Sequence, residues 1–162
     1  MAAGHYDQVA AIGLEASPYD TELFKKLNQL EQLARSGNET AQYYEGVVNK
    51  RECRQLHGDA KSDAELSRAD TCYKISLNWW LHLAQSSDPD SQWEIGQLYV
   101  DGNGVPKSPL NAIEWYYKAA RGFQKLNNRE RALMVLEDMR EAGRKHPLTR
   151  KLSKQLLGSY EQ

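Results

Sequence analysis

The sequence has 162 residues and a formal net charge of −1, with 40% hydrophobic and 27% charged residues. These values are ordinary for a globular chain, so we expect one domain over residues 1–162. The near-neutral charge argues against a nucleic-acid-binding surface, and no apolar run approaches the roughly 20 residues of a membrane-spanning helix. The first residues show no basic cluster followed by an apolar stretch, so no signal peptide is predicted.

Apolar residues recur three and four residues apart along most of the chain, a spacing that predicts helices and no strand. The stripe from Leu23 to Ala34 is the first clear example, and Ser108 is a typical N-cap before a later helix. Short connections between the helices favour antiparallel neighbours. In chain order, helices are predicted at about residues 6–16, 20–34, 40–53, 70–85 and 89–100, then from Pro109 onward, at 130–142 and at 148–157.

The connection at residues 54–69 differs from the others in being long, polar and mixed in charge. It contains Gly58 and Asp59, which are typical of turns. We therefore predict an insertion between two helices here, with a helical part from Asp63 to Arg68.

Residues 91–120 read SQWEIGQLYVDGNGVPKSPLNAIEWYYKAA and resemble a Sel1-like repeat. Gly96 is expected where two helices approach too closely for a Cβ, and Gly102 and Gly104 where a turn needs positive φ. The resemblance implies an all-α fold, an α-α superhelix of stacked helical hairpins. The residues that carry it are Ser91, Ile95, Gly96, Tyr99, Gly102, Gly104, Val105, Ala112, Trp115, Tyr116, Ala119 and Ala120.

The repeat pattern extends on both sides of this stretch in weaker form. Residues 20–87 resemble degenerate repeats with Glu45 where leucine is usual, residues 88–122 form the complete repeat, and residues 123–162 resemble the related tetratricopeptide repeat. The pattern that stops before the insertion resumes at Ser76, Trp79, Trp80 and Ala84. Trp79 and Trp115 are predicted to lie in the core.

Stacked hairpins form a concave face, because each pair is rotated slightly against the last. The resemblance implies that this face binds another protein, so the chain is predicted to be a non-enzymatic adaptor without a cofactor. Aromatic and arginine side chains are the usual anchors of protein interfaces. By analogy with the tetratricopeptide register, the predicted partner-binding residues are Tyr43, Val47, Lys50, Trp93, Gln97, Tyr117 and Arg121.

The cysteines Cys53 and Cys72 lie near adjacent ends of two antiparallel predicted helices, so a disulfide could close the insertion. Two free thiols are an alternative, and a metal site with His57 is another, although a fourth ligand is not evident. His82 is predicted to pack rather than ligate. A disulfide would favour an oxidising compartment. Sel1-like proteins are often exported from bacteria, so the resemblance also favours an envelope or secreted location, with a cytosolic regulatory scaffold as the alternative.

Catalytic motifs are missing from the sequence, which has neither a nucleophile elbow nor a phosphate-binding loop. A small-ligand binder or hydrolase of the cysteine-rich Sel1-like type is kept as an alternative, although the evenly spaced cysteines of that type are missing. The C-terminal region is basic. Its positive charges are expected either to compensate helix dipoles or to bind an acidic partner or an anionic membrane surface. Its cations are Arg140, Arg144, Lys145, Arg150, Lys151 and Lys154.

Overall fold

A computed structural model describes residues 21–158 of the chain. The helix predicted near residues 6–16 lies outside the described residues, as does the side chain of Leu23. Within them the fold is all α-helical, and the predicted helices occur within a few residues of their expected positions outside the insertion. The helices are α1 (Thr21–Arg35), α2 (Glu39–Asp59), α3 (Asp63–Gln85), α4 (Pro89–Asp101), α5 (Pro109–Lys125), α6 (Arg129–Gly143) and α7 (Pro147–Leu157).

Consecutive helices pack against each other from α1 to α7, and α5 also contacts α7. The closest neighbours are the hairpins α2–α3 and α4–α5, followed by α6 on α5. This arrangement confirms the predicted stack of helical hairpins. None of the helices in residues 21–158 is long and apolar enough to cross a membrane.

One tight turn recurs at three junctions of the stack and sets the start of each first helix. A residue with positive φ is followed by an Asn or Asp N-cap whose side chain accepts a backbone N–H of the new helix. The cap satisfies one of the N–H groups that a helix start leaves without a partner. The residues with positive φ and their caps are Gly37 and Asn38, Ser87 and Asp88, and Asn127 and Asn128.

The segment predicted as an insertion is almost entirely helical. Helix α2 continues to Asp59 and α3 already begins at Asp63, so the connection shrinks to residues 60–62. Ser62 caps α3 by accepting the N–H of Glu65. The expectation of a polar loop was therefore wrong, although the helical part from Asp63 was predicted. The two elongated helices form a projecting hairpin tip at residues 54–68, whose side chains are exposed except for a half-buried Ala60.

Glycines bring the two helices of each hairpin close together, as the sequence predicts for Gly96. A Cβ at Gly96 would overlap the ring of Tyr116, and a Cβ at Gly46 would overlap the ring of Trp80. Trp80 and Tyr116 are fully buried there. The predicted core residues Trp79 and Trp115 pack against buried clusters but remain only half-buried, because each precedes the residue that faces the partner helix.

The turn between α4 and α5 attaches the second hairpin to the first. Gly102 and Gly104 both have positive φ, as predicted. The N–H of Gly104 donates to Asp70 Oδ1 at 2.9 Å, and a Cβ at Gly104 would overlap Tyr73 of α3. The repeat turn therefore fits against α3 only when this position is glycine.

Candidate functional site

One face of the stack, which the repeat resemblance predicts to be the concave one, is built from the first helix of each hairpin, namely α2, α4 and α6. Side chains bridge α2 to α4 and α4 to α6, so these three helices form a continuous surface. The predicted groove residues on α2 and α4 lie on this surface.

A polar cluster joins α2 to α4. Lys50 Nζ donates to Glu94 Oε2 and to Gln97 Oε1, both at 2.7 Å. The hydroxyl of Tyr43 donates to the other carboxylate oxygen of Glu94 at 3.4 Å. The structure therefore brings together three of the predicted partner-binding residues, Tyr43, Lys50 and Gln97, around one carboxylate that the sequence analysis did not select.

A second cluster joins α4 to α6. The indole N–H of Trp93 donates to Asp138 Oδ2 at 2.6 Å, and the Trp93 ring meets the Phe123 ring edge to face. Arg131 pairs with Asp90 at 2.5 Å and lies over the Phe123 ring, 4.7 Å from its centroid. Phe123 is buried and the other partners are only partly exposed, so these contacts hold Trp93 in place rather than leaving it free on the surface.

A cleft of about 880 Å³ opens where the three helix starts meet. Tyr43 and Val47 of the predicted set line it, whereas Lys50, Trp93 and Gln97 lie outside its lining, on the groove helices α2 and α4. Tyr44 and Leu126 add exposed apolar surface, at 36% and 66% exposure. The other lining residues are Gly37, Glu39, Thr40, Leu83, Ser86, Ser87, Asp88, Pro89, Asp90, Glu94, Gly122, Lys125 and Arg131.

The cleft is partly buried and carries more carboxylates than cations, and both features raise the pKa of groups that line it. Burial raises the pKa of Tyr43 well above its usual range, and the charges of Glu94, Asp90 and Asp88 raise it further. Burial also raises the pKa of the Asp90 carboxyl, although the Arg131 guanidinium beside it acts in the opposite direction. Tyr43 therefore acts as a neutral hydrogen-bond donor.

Tyr117 and Arg121 are not brought together with the other predicted residues. Both lie on α5, the second helix of its hairpin, and neither lines the cleft. Tyr117 is half-buried beneath Lys151 of α7, whose Nζ is 5.7 Å from the ring centroid. The tetratricopeptide register predicts α5 as a helix of the groove, but that position is occupied by α6.

The groove residues that sequence reasoning missed are Arg131 and Asp138 on α6 and Tyr44 on α2. Helix α6 has Leu136 where the complete repeat has Gly96, and it contains no aromatic residue, so the repeat pattern does not identify it as a groove helix. The signal that could have identified it is the Asn127–Asn128 junction, which matches the two earlier junctions in turn conformation and capping.

Cys53 and Cys72 form the predicted disulfide between α2 and α3, with their Cα atoms 5.4 Å apart. Cys53 is completely buried, and the bridge lies at the base of the hairpin tip. His57, proposed as a metal ligand in one alternative, is exposed, and no group of potential metal ligands occurs in the described residues. His82 is also exposed, so its predicted packing role was wrong, because it points away from the buried side of α3.

Paired helices, repeated capped turns and glycine-mediated contacts define the class: an all-α repeat protein whose helical hairpins stack into a superhelix. Residues 89–122 match the family described as Sel1 repeat, so the chain contains a Sel1 repeat in its second hairpin. Neither the curated proteins nor the solved structures contain a significant match. Sel1 repeats generally mediate contacts between proteins and are a scaffold type of repeat rather than an enzyme type.

Proposed function

We propose that this chain is a non-enzymatic adaptor whose concave cleft binds a peptide or a protein surface. The observation that carries the proposal is the cleft itself, because it combines ordered polar groups with exposed apolar side chains. Such a combination is typical of sites that anchor a partner. Tyr44 and Leu126 supply apolar contact area, while the Glu94 cluster holds Tyr43 in one position.

Tyr44 is the best residue with which to test the cleft. It is more exposed than Tyr43, whose hydroxyl and ring are engaged with Glu94 and Trp80. Tyr43 and Trp93 are predicted partner-binding residues, but changing either to alanine would also remove contacts within the fold. Leu110 on α5 provides a matched control, because it is a large apolar residue, 63% exposed, that does not line the cleft.

The experiment selects binders of the full chain from a random peptide display library and measures their affinity by fluorescence anisotropy. Tyr44→Ala is expected to lower the affinity for the selected peptides at least about fivefold, which is about 1 kcal/mol, because it truncates an interface anchor. Leu110→Ala is expected to change affinity less than about twofold. If both changes lowered the affinity equally, or if only Leu110→Ala lowered it, the peptides would bind elsewhere and the cleft would not be the binding site.

The Cys53–Cys72 disulfide supports a location for this function. Disulfides persist in oxidising compartments and are rare in the cytosol. We therefore propose that the adaptor acts in an oxidising compartment, such as the bacterial envelope or a secretion-related assembly. Alkylating the protein from its native cells under denaturing conditions, followed by mass measurement, tests this. An unmodified chain is expected, whereas two added alkyl groups would favour a cytosolic scaffold.

We also propose that a partner with acidic residues contacts the basic C-terminal region. The support is the concentration of cations after residue 140, in a chain whose overall charge is −1.

A further inference from the structure

A basic surface lies at the C-terminal end of the described stack, away from the cleft. Residues 144–158 contain five lysines and arginines and no aspartate or glutamate. All five cations are exposed, and none forms an ion pair within residues 21–158. We call them the basic surface: Arg144, Lys145, Arg150, Lys151 and Lys154.

The helix dipole accounts for only part of this charge. Lys154 lies in the last turn of α7, and Arg144 and Lys145 directly follow α6, where a positive charge is favourable. Arg150 and Lys151 instead lie in the N-terminal half of α7, which has no acidic residue in its first turn. A cation there gains nothing from the dipole, so helix stability does not explain these two side chains.

The three cations of α7 project from one side of the helix, since their spacing of three and four residues brings them onto neighbouring turns. The opposite side is committed to the core, where Leu152 and Leu156 are buried. Lys151 lies over the ring of Tyr117, and Arg121 is exposed one turn further along α5. Tyr117, which was predicted to contact a partner, therefore lies beside the basic surface, and Arg121, also predicted, is on the next turn of α5.

We infer that the basic surface, with Tyr117 and Arg121 beside it, is a second docking site that binds an extended acidic segment of a partner protein. The inference rests on the proposed acidic partner but not on the cleft. Alternate side chains of an extended segment repeat about every 6.6 Å, and Arg150 and Lys154 are about 6 Å apart along α7. Two carboxylates on one side of such a segment can therefore meet both cations.

The composition of the surface favours an acidic protein segment over a membrane. Its apolar residues face the core, so α7 has no free apolar side to insert into lipid. Glu141, in the last turn of α6 and three residues before Arg144, is exposed and would be repelled by a plane of anionic headgroups.

The test measures binding of a fluorescein-labelled ten-residue peptide, rich in Asp and Glu, to the full chain by fluorescence anisotropy. The variant combines Arg150→Gln, Lys151→Gln and Lys154→Gln. The control combines Arg54→Gln, Lys61→Gln and Arg68→Gln on the hairpin tip, where three exposed cations are lost for the same change in net charge. Circular dichroism spectra of both variants are recorded to check that they fold.

The first variant is expected to bind the peptide about tenfold more weakly, and the control less than about twofold more weakly. Binding of the peptide to the unmodified chain is expected to weaken as the salt concentration rises. Arg150→Lys keeps the charge and is expected to keep the affinity. Equal loss in both triple variants would mean that only net charge matters, and would overturn the inference. Tyr44→Ala in the cleft is expected to leave this binding unchanged, which separates this test from that of the cleft.

Two further outcomes would also overturn the inference. One is that the chain sediments with phosphatidylserine vesicles but does not bind the peptide, which would identify a membrane surface. The other is concentration-dependent self-association, detected by sedimentation velocity and abolished by the triple variant, which would identify a second copy of the chain as the occupant.

Discussion

The indole N–H of Trp80 donates to the carbonyl oxygen of Tyr43 at 3.2 Å, across the closest approach of α2 and α3. The approach depends on Gly46, since a Cβ there would overlap the Trp80 ring. The complete repeat has the same relationship between Gly96 and Tyr116. The degenerate hairpin therefore keeps the glycine contact of the complete one with a larger aromatic partner.

Alanine substitutions at two glycines of α2 are expected to have opposite effects on stability. Gly46→Ala is expected to lower the free energy of unfolding by about 2 kcal/mol, because the added methyl forces Trp80 out of its position. Gly58→Ala adds the same methyl where nothing lies within 4 Å. It is expected to raise that free energy by up to about 1 kcal/mol through helix propensity. Urea denaturation measures both, and a stabilising Gly46→Ala would contradict the packing described for Trp80.

The disulfide predicts a large effect of reduction on stability. Cys53 and Cys72 are 19 residues apart in sequence, so breaking the bridge is expected to cost about 3 kcal/mol in the chain-entropy model. Urea denaturation with and without dithiothreitol measures the difference. The double variant Cys53→Ala, Cys72→Ala is the control, because its stability should not respond to the reductant. A wild type that is equally insensitive would show that the bridge does not stabilise the fold.

The sequence predicted the stack well where glycine and aromatic residues recur at fixed spacing, as at Gly96 and Tyr116. It also predicted the disulfide, because antiparallel helices place Cys53 near Cys72. It failed at the hairpin tip, where both helices project into water and have no apolar stripe to reveal them. It also failed to assign α6 to the groove, because α6 lacks the repeat pattern of α4, and Arg131 and Asp138 are identified as groove residues only by their contacts with α4.

The Lys50–Glu94 pair predicts a measurable coupling between α2 and α4. Its side chains are only 12% and 20% exposed, so the attraction is less screened than on the surface. A double-mutant cycle with Lys50→Met and Glu94→Gln is expected to give a coupling of about 1–2 kcal/mol. The exposed pair Arg35–Glu31, at 70% and 45%, serves as the comparison and is expected to give less than about 0.5 kcal/mol. Equal couplings would mean that solvent screens both pairs alike.

The repeat register predicts a stabilising substitution at Glu45. This carboxylate occupies the position that Ile95 fills in the complete repeat, and it is only 9% exposed. Burial raises its pKa, with the charge of Glu31 adding to the shift and the hydrogen bond from Asn49 opposing it. Glu45→Leu is therefore expected to raise the free energy of unfolding at neutral pH by about 1 kcal/mol, because it removes a charge that is costly to bury.

The sign of the pH dependence follows from the direction of that shift. The folded chain holds the Glu45 proton to higher pH than the unfolded chain does, so stability falls as pH rises between the two pKa values. The advantage of Glu45→Leu should be smallest near about pH 4 and grow toward about pH 7, as urea denaturation across that range can measure. Glu114→Leu on the exposed side of α5 is the control, and its effect should not follow this trend. An advantage of Glu45→Leu that is constant over this range would show that Glu45 ionises equally in both states, so that its burial in the folded chain carries no electrostatic cost.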